Sequence, residues 1–257
     1  MGCCTSISVW LFDRPGLRNR LWECDTINPR FLLVLRCIVL LFLIEICVMA
    51  IIAYALTSPQ KVFSITSVSI LCSLTTYVMI LVQHWLPIEA RLWKWTHVVY
   101  EISFSFAVGL SLVFWCVLIP LLFTRSNFSI SGLQNTWLEI AVRVQFHTIV
   151  FGVYLFELYM NRIEFPFRHI VIVFTCCVFY VIGYLALSKL YRAIEDYTDW
   201  SDVESFSFIG AAGILILGSF CCAALITEKK LARYTSPPPM RDVEKSGKDR
   251  GLSMDSI

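Results

Sequence analysis

Four ionisable residues of the segment 137–160 fall on one side of a predicted helix. Glu139, Arg143 and His147 are spaced four residues apart, and Glu157 follows eighteen residues after Glu139. At about 3.6 residues per turn, all four side chains point in similar directions. A histidine in such a group can take a proton from a nucleophile, whereas carboxylates and arginines can pair with each other. The spacing therefore predicts a polar face with the means for acid–base chemistry.

The segment that carries this face is otherwise long and apolar enough to cross a bilayer. A charged group at the bilayer centre costs at least roughly 2.5 to 3.5 kcal/mol. The polar face should therefore look into a protein interior or a polar cavity, and we interpret it as a candidate functional site.

The composition indicates a membrane protein. Hydrophobic residues make up 58% of the chain and charged residues 16%, and the mean hydropathy is +0.71. Six windows reach the length of a membrane span, at 31–56, 62–82, 97–123, 137–160, 169–191 and 205–227. The sequence predicts an all-α, polytopic transmembrane bundle of six helices.

Three regions follow from these windows. Residues 1–30 form an N-terminal arm, 31–228 the transmembrane domain, and 229–257 a tail that we expect to be disordered. The first span is too long for a cleaved signal peptide and contains Arg36 and Glu45, which signal peptides avoid. A net charge of +2 does not favour nucleic acid as a partner, so membrane lipids are the expected contacts.

Lys and Arg residues predict the orientation. Outside the spans, 15 lie in the N-terminal arm, the second and fourth loops and the tail, and 3 lie in the other loops. Both termini are therefore expected in the cytoplasm, in a protein integral to the plasma membrane or an endomembrane.

The N-terminus resembles a lipidation site. Gly2 would be exposed after removal of Met1, Ser6 stands where the myristoylation pattern requires it, and Cys3 and Cys4 are natural palmitate acceptors. Acylation of this kind takes place in the cytosol, in agreement with the predicted orientation.

Neither metal nor cofactor is expected from the sequence. No Cys and His spacing resembles a zinc site, and the chain has no glycine-rich phosphate loop. Most of the 11 cysteines fall within spans, where they serve as small packing residues. In the sixth span, Gly210, Gly213 and Gly218 predict close helix packing.

Depth along each span separates the buried charges into two layers. At about 1.5 Å per residue, one layer lies towards the cytoplasm and the other towards the outside. We expect pairing between helices within each layer, with His147 alone near the middle. The inner layer holds Arg36, Glu101 and Glu157, and the outer layer holds Glu45, Glu139 and Arg143.

A base at the depth of His147 needs a hydroxyl nucleophile. The second span offers Ser64, Thr66 and Ser67 near its outer end and Thr75 and Thr76 deeper in the membrane. Spacing does not choose among them, and hydroxyls in membrane helices usually bond to the carbonyl one turn back.

Several motifs, in this order, resemble the androgen-induced family of six-span membrane proteins. His147-Thr148, Glu157, Phe165-Pro166, Arg168-His169, Tyr180 and Tyr184 match its signature half, and the segment 106–115 matches its partner motif. The N-terminal half, with Trp22-Glu-Cys, Arg36 and Ile65-Thr66-Ser67, is closer to the rolling stone branch of that family. The resemblance covers residues 20–228.

The resemblance implies an activity. Members of the androgen-induced branch cleave fatty-acid esters of hydroxy fatty acids with one threonine and one histidine, which correspond here to Thr66 and His147. The chain departs from the rolling stone pattern at Ser67 and Thr198. Two other hypotheses stay open: a non-catalytic protein of cell adhesion or fusion, as in the rolling stone branch, and a transporter.

Overall fold

The computed structural model describes residues 28–57, 64–85, 90–120, 141–160, 163–191 and 202–235. The predicted lipidation site at Gly2, Cys3 and Cys4 lies outside the described residues, as do Glu139 and most of the predicted tail. Within the described segments the chain is helical and contains no strand. The predicted all-α fold is thereby confirmed.

Six α-helices and three short segments of other helix types are assigned in the described part of the chain. One π-helical segment directly follows the third α-helix, a second one directly precedes the fourth, and a 3₁₀ turn precedes the fifth. The α-helices are α1 (Pro29–Thr57), α2 (Ile65–Trp85), α3 (Ala90–Val113), α4 (Phe151–Met160), α5 (Ile170–Tyr191) and α6 (Asp202–Thr235). The others are π1 (Phe114–Leu118), π2 (Phe146–Val150) and the turn Phe167–His169.

Among the described residues, five helical segments are long and apolar enough to cross a membrane: Arg30–Ala53, Ile65–Gln83, Lys94–Leu118, Ala141–Met160 and Ile209–Ala232. The apolar helix Phe167–Gly183, which overlaps the fifth predicted span, is shorter. The protein is therefore a multi-pass membrane protein, and the span at 169–191 and the orientation of the termini stay predictions.

Polar caps begin the first two helices. The Asn28 side chain accepts a hydrogen bond from the Arg30 N–H at 2.9 Å, and Pro29 occupies the first helical position. The Ser64 hydroxyl accepts one from the Ser67 N–H at 3.2 Å, so Ser64 caps α2. Ser64 thus has a structural role at the entry of the helix that carries Thr66.

Helix α3 lies at the centre of the bundle. Of its most apolar window, 67% is buried, compared with 28% to 39% in the other four spans. It packs against α2, α4, α5 and α6, while α1 packs on α2. The outer faces carry exposed apolar side chains such as Leu41, Ile51 and Phe179, as expected of surfaces in contact with lipid.

Two helices approach each other closely at a glycine of α3. A Cβ atom built on Gly109 would lie 2.6 Å from Cα and 2.7 Å from N of Ile216 in α6. Gly210, Gly213 and Gly218 have no heavy atom within 4 Å of such a position. The expectation that these three glycines mark close packing is therefore wrong, because they face away from the neighbouring backbone.

Gly109→Ala should destabilise the protein, because its methyl group would force α3 and α6 apart. Overpacking of this kind typically costs about 1 to 3 kcal/mol. Thermal unfolding of the purified protein in detergent measures the effect as a lower Tm. Gly213→Ala is the matched control and should leave the Tm unchanged or raise it, since alanine favours the helix and meets open space. Equal Tm values for the two variants would contradict the packing.

Candidate functional site

His147 lies in π2 and is 3% exposed. Its ring stacks on Phe114 of π1, with ring centroids 4.5 Å apart and planes at 20°. The Phe146 ring meets it nearly edge-on, at 5.2 Å. The imidazole is thus held between aromatic surfaces, which fix its orientation and keep its surroundings apolar.

Ser111 of α3 supplies the polar contact of the His147 ring. The Ser111 hydroxyl lies 3.2 Å from Nδ1 of His147 and 2.6 Å from the carbonyl oxygen of Ala107, to which it donates. A serine has one hydroxyl proton, so its oxygen is left to accept a hydrogen bond from Nδ1–H. This network assigns the neutral tautomer in which Nε2 carries a lone pair.

The other ring nitrogen of His147 is available for chemistry. Among the residues that the structure describes, no hydrogen bond reaches Nε2. A base needs such a lone pair, together with a partner that holds its second nitrogen in the protonated form. Ser111 and His147 therefore have the arrangement of an orienting group and a general base.

Two π-helical segments meet at this point. Trp115 of π1 donates from Nε1 to the backbone carbonyl of His147 in π2, at 3.3 Å. A π turn interrupts the regular hydrogen bonding of an α-helix and re-aims its side chains, and such turns occur frequently at functional sites. Two π-helical segments thus lie beside one buried, hydrogen-bonded histidine. Both the backbone and the polar side chains of this region differ from those of a regular apolar membrane helix.

The structure does not join Thr66 to His147. Thr66 is half-buried in the first turn of α2, and no hydrogen bond connects the two residues in the described part of the chain. The helices that carry them do meet elsewhere, where the rings of Tyr77 and Tyr154 lie 6.0 Å apart. The role of Thr66 as nucleophile stays a prediction.

The other candidate hydroxyls of α2 have local partners. Thr75 donates to the carbonyl of Leu71 and Thr76 to that of Cys72, each at 2.8 Å. This is the bond to the preceding turn that is common in membrane helices. The Ser64 and Ser67 hydroxyls lie 2.9 Å from each other.

Two of the three charged residues of the inner layer, Arg36 and Glu157, form a pair between helices, in agreement with the prediction. Nε of Arg36 lies 3.0 Å from Oε1 of Glu157, and both side chains are 1% exposed. The pair joins α1 to α4 across the bundle. A buried charge that keeps such a partner avoids most of the penalty of leaving water.

Glu101, the third member, pairs with two histidines. Its Oε1 lies 3.0 Å from Nε2 of His97, and its Oε2 lies 2.6 Å from Nδ1 of His169. All three side chains are buried, and together they offer ligand atoms that could hold a metal ion. Both histidines stand at the boundaries of predicted spans, so this cluster was not predicted from the sequence. The spacing of four between His97 and Glu101 was nevertheless a visible signal.

The outer layer differs from the prediction. Glu45 is exposed, so its assignment as a buried polar group is wrong. The buried positions of α1 follow a repeat of three and four residues that includes Leu43 and Ile46, and Glu45 falls on the opposite side of the helix. Depth was estimated from the sequence, but the direction of the side chain was not. Arg143 is half-buried.

Comparisons with other proteins add no assignment. No protein-family model, no curated protein and no solved structure matches the chain.

Removal of one partner of the Arg36–Glu157 pair should be strongly destabilising, because the other charge would stay buried without compensation. The expected loss for Glu157→Leu or Arg36→Met is about 3 to 5 kcal/mol. The double variant Arg36→Met with Glu157→Leu should be less destabilised than the sum of the single changes. Chemical denaturation of the purified protein in detergent provides the three values, and additive losses would contradict a direct ion pair.

Proposed function

We propose that this protein is a membrane-embedded lipid ester hydrolase, related to the androgen-induced family and nearest to its rolling stone branch. His147 is the general base, Thr66 the nucleophile, and Ser111 the positioning residue for His147. The single observation that carries the proposal is the hydrogen bond between Ser111 and Nδ1 of a buried histidine, which leaves Nε2 without a partner in the described chain.

The surroundings of His147 favour an apolar substrate. Phe114 and Phe146 line the ring, and the Trp115 indole is bonded to the His147 backbone. A site inside the membrane, lined by aromatic rings, suits an ester whose acyl chain arrives from the bilayer. Fatty-acid esters of hydroxy fatty acids, the substrates that the resemblance implies, belong to this class.

The reaction proceeds in two steps. Nε2 of His147 takes the proton of the Thr66 hydroxyl as its oxygen attacks the ester carbonyl, and the alcohol leaves with that proton. Water then attacks the acyl-threonine, again with help from His147, and releases the fatty acid. The alignment requires the Thr66 end of α2 and the His147 turn to approach one substrate carbonyl.

The observed aromatic and polar contacts support the proposed role of His147 as base more strongly than the proposed role of Thr66 as nucleophile. The Ser111 hydroxyl lies 3.2 Å from the His147 ring, yet its proton is directed to the Ala107 carbonyl at 2.6 Å. That bond suits an orienting group, whereas a nucleophile must direct its proton to the base. Experiment can separate the two roles because they respond differently to substitution.

Thr66→Ala, His147→Ala and the double variant should lower kcat/KM for ester hydrolysis by similar, non-additive amounts. A general base typically contributes about 10²- to 10⁴-fold, and base and nucleophile act as a unit. Purified protein in detergent with fatty-acid esters of hydroxy fatty acids provides the assay. Labelling by a fluorophosphonate probe should be lost in Thr66→Ala, because the adduct forms on the Thr66 oxygen. Ser111→Ala should label slowly, because the nucleophile remains but the base is no longer oriented.

Thr75→Ala is the matched control, since Thr75 is an exposed hydroxyl of the same helix and bonds to its own backbone. It should retain both labelling and hydrolysis. Labelling that persists in Thr66→Ala but disappears in Ser111→Ala would move the nucleophile to Ser111. A folded wild-type protein that neither labels nor hydrolyses these esters would overturn the proposed activity.

A further inference from the structure

A second polar centre lies in the first half of α3, away from His147. Glu101 precedes Ser111 by ten residues, which corresponds to about 15 Å along the helix. His97 and His169 flank the Glu101 carboxylate, and the three side chains are exposed by 3%, 1% and 1%. This centre is too far from His147, the proposed base, to act on the same ester carbonyl. Its chemistry is therefore separate from ester hydrolysis.

The distances within the cluster fit ligands around one ion. One ligand atom of each residue lies within 4.8 Å of the others, and Nε2 of His97 lies 3.0 Å from Oε1 of Glu101. Two ligands of a tetrahedral zinc ion, each at about 2.0 to 2.2 Å from the metal, are separated by about 3.3 Å. Oε1 of Glu101 is buried. Although it lies this close to the His97 imidazole, it accepts no hydrogen bond in the described part of the chain. The carboxylate therefore presents an unused oxygen towards the cluster.

We propose that His97, Glu101 and His169 bind one divalent transition-metal ion of the zinc type. Nε2 of His97, a Glu101 oxygen and Nδ1 of His169 are the ligands, and the ion replaces the proton through which Nδ1 of His169 now bonds to Oε2 of Glu101 at 2.6 Å. That proton is released to solvent on binding. Two imidazoles and one carboxylate are donors that zinc and similar ions prefer, whereas calcium and magnesium prefer oxygen ligands alone. The positive ion also offsets the charge of a carboxylate that is buried between two imidazoles.

The fold holds the three ligands on two elements. His97 and Glu101 lie one turn apart on α3, and His169 ends the 3₁₀ turn before α5. That turn is itself anchored, since the His169 N–H donates to the Pro166 carbonyl at 2.8 Å. Just before it, the Phe165 N–H donates to the Thr227 hydroxyl of α6 at 3.3 Å. The ligand positions are therefore fixed by backbone contacts outside the cluster, as a preformed metal site requires.

The ion would act as a structural link. It connects the first half of α3 to the segment that leads into α5, and these elements otherwise meet mainly through aromatic packing, such as the contact of Phe104 with Phe165 at 5.0 Å between ring centroids. A ligand that binds only the folded state raises stability as its concentration exceeds its Kd. Zinc should therefore raise the Tm of the wild-type protein, and a chelator should lower it.

The test uses the full-length protein, purified in detergent, stripped with a chelator and reloaded with Zn²⁺. Metal content by inductively coupled plasma mass spectrometry should be one zinc per chain. Glu101→Gln, His97→Ala and His169→Ala should each weaken zinc binding at least about 10-fold, by the scale known for losses at metal sites. His147→Ala is the matched control, a buried histidine outside the cluster, and should retain full zinc binding.

Two results would overturn the site. One is a folded wild-type protein that takes up no zinc and whose Tm does not respond to zinc or chelator. The other is zinc bound equally by wild type and Glu101→Gln, which would place the ion elsewhere. The Tm measurement on wild type needs no variant, so it decides the question even where a ligand variant does not fold. Because the readouts are metal content and Tm, they stay informative whether or not the protein hydrolyses esters.

Discussion

Every polar side chain within the bundle must find its partner inside the protein, because the hydrocarbon around it offers no hydrogen bonds. This constraint explains the position of α3. The helix carries most of its polar residues at buried positions, and it is also the helix that touches four others. The apolar faces of the surrounding helices then meet the lipid, so the central helix becomes the place where charges and hydroxyls from several spans are satisfied. Its buried polar residues are Thr96, His97, Glu101, Ser103, Ser105 and Ser111.

Two polar centres result, one around Glu101 in the first half of α3 and one at Ser111 and His147 near its C-terminal end. Tyr100 and Phe104 of α3 pack against Tyr154 of α4 and Phe165 before α5, with centroids 5.0 to 6.1 Å apart. These rings bury large apolar surfaces, which tight packing of the bundle needs. Ten residues of α3, or about 15 Å, separate Glu101 from Ser111, so each centre can have its own chemistry.

The sequence predicted the helices well, because long apolar windows are a strong signal in a chain of this composition. It also predicted pairing within the layer of Arg36, Glu101 and Glu157, since depth follows directly from position along a span, and Arg36 does pair with Glu157. Contacts were predicted less well, because they depend on which way each side chain points and on which helices are neighbours. Glu45 was assigned to the interior from its depth, although the pattern of Leu43 and Ile46 directs it outwards. The histidines beside Glu101 were missed because they stand at the ends of their spans, and the link from His147 to Ser111 depends on two π turns that leave no clear sequence signal.

The proposed function depends on Ser111 holding His147 as a neutral base with Nε2 unprotonated. Nitrogen-15 NMR of histidine-labelled protein in lipid nanodiscs measures the tautomer directly, with the His147 signals assigned by their loss in His147→Gln. We expect a neutral imidazole at neutral pH with the proton on Nδ1, and a mixture of tautomers in Ser111→Ala. A proton on Nε2 in the wild-type protein, or a tautomer that does not respond to Ser111→Ala, would contradict it.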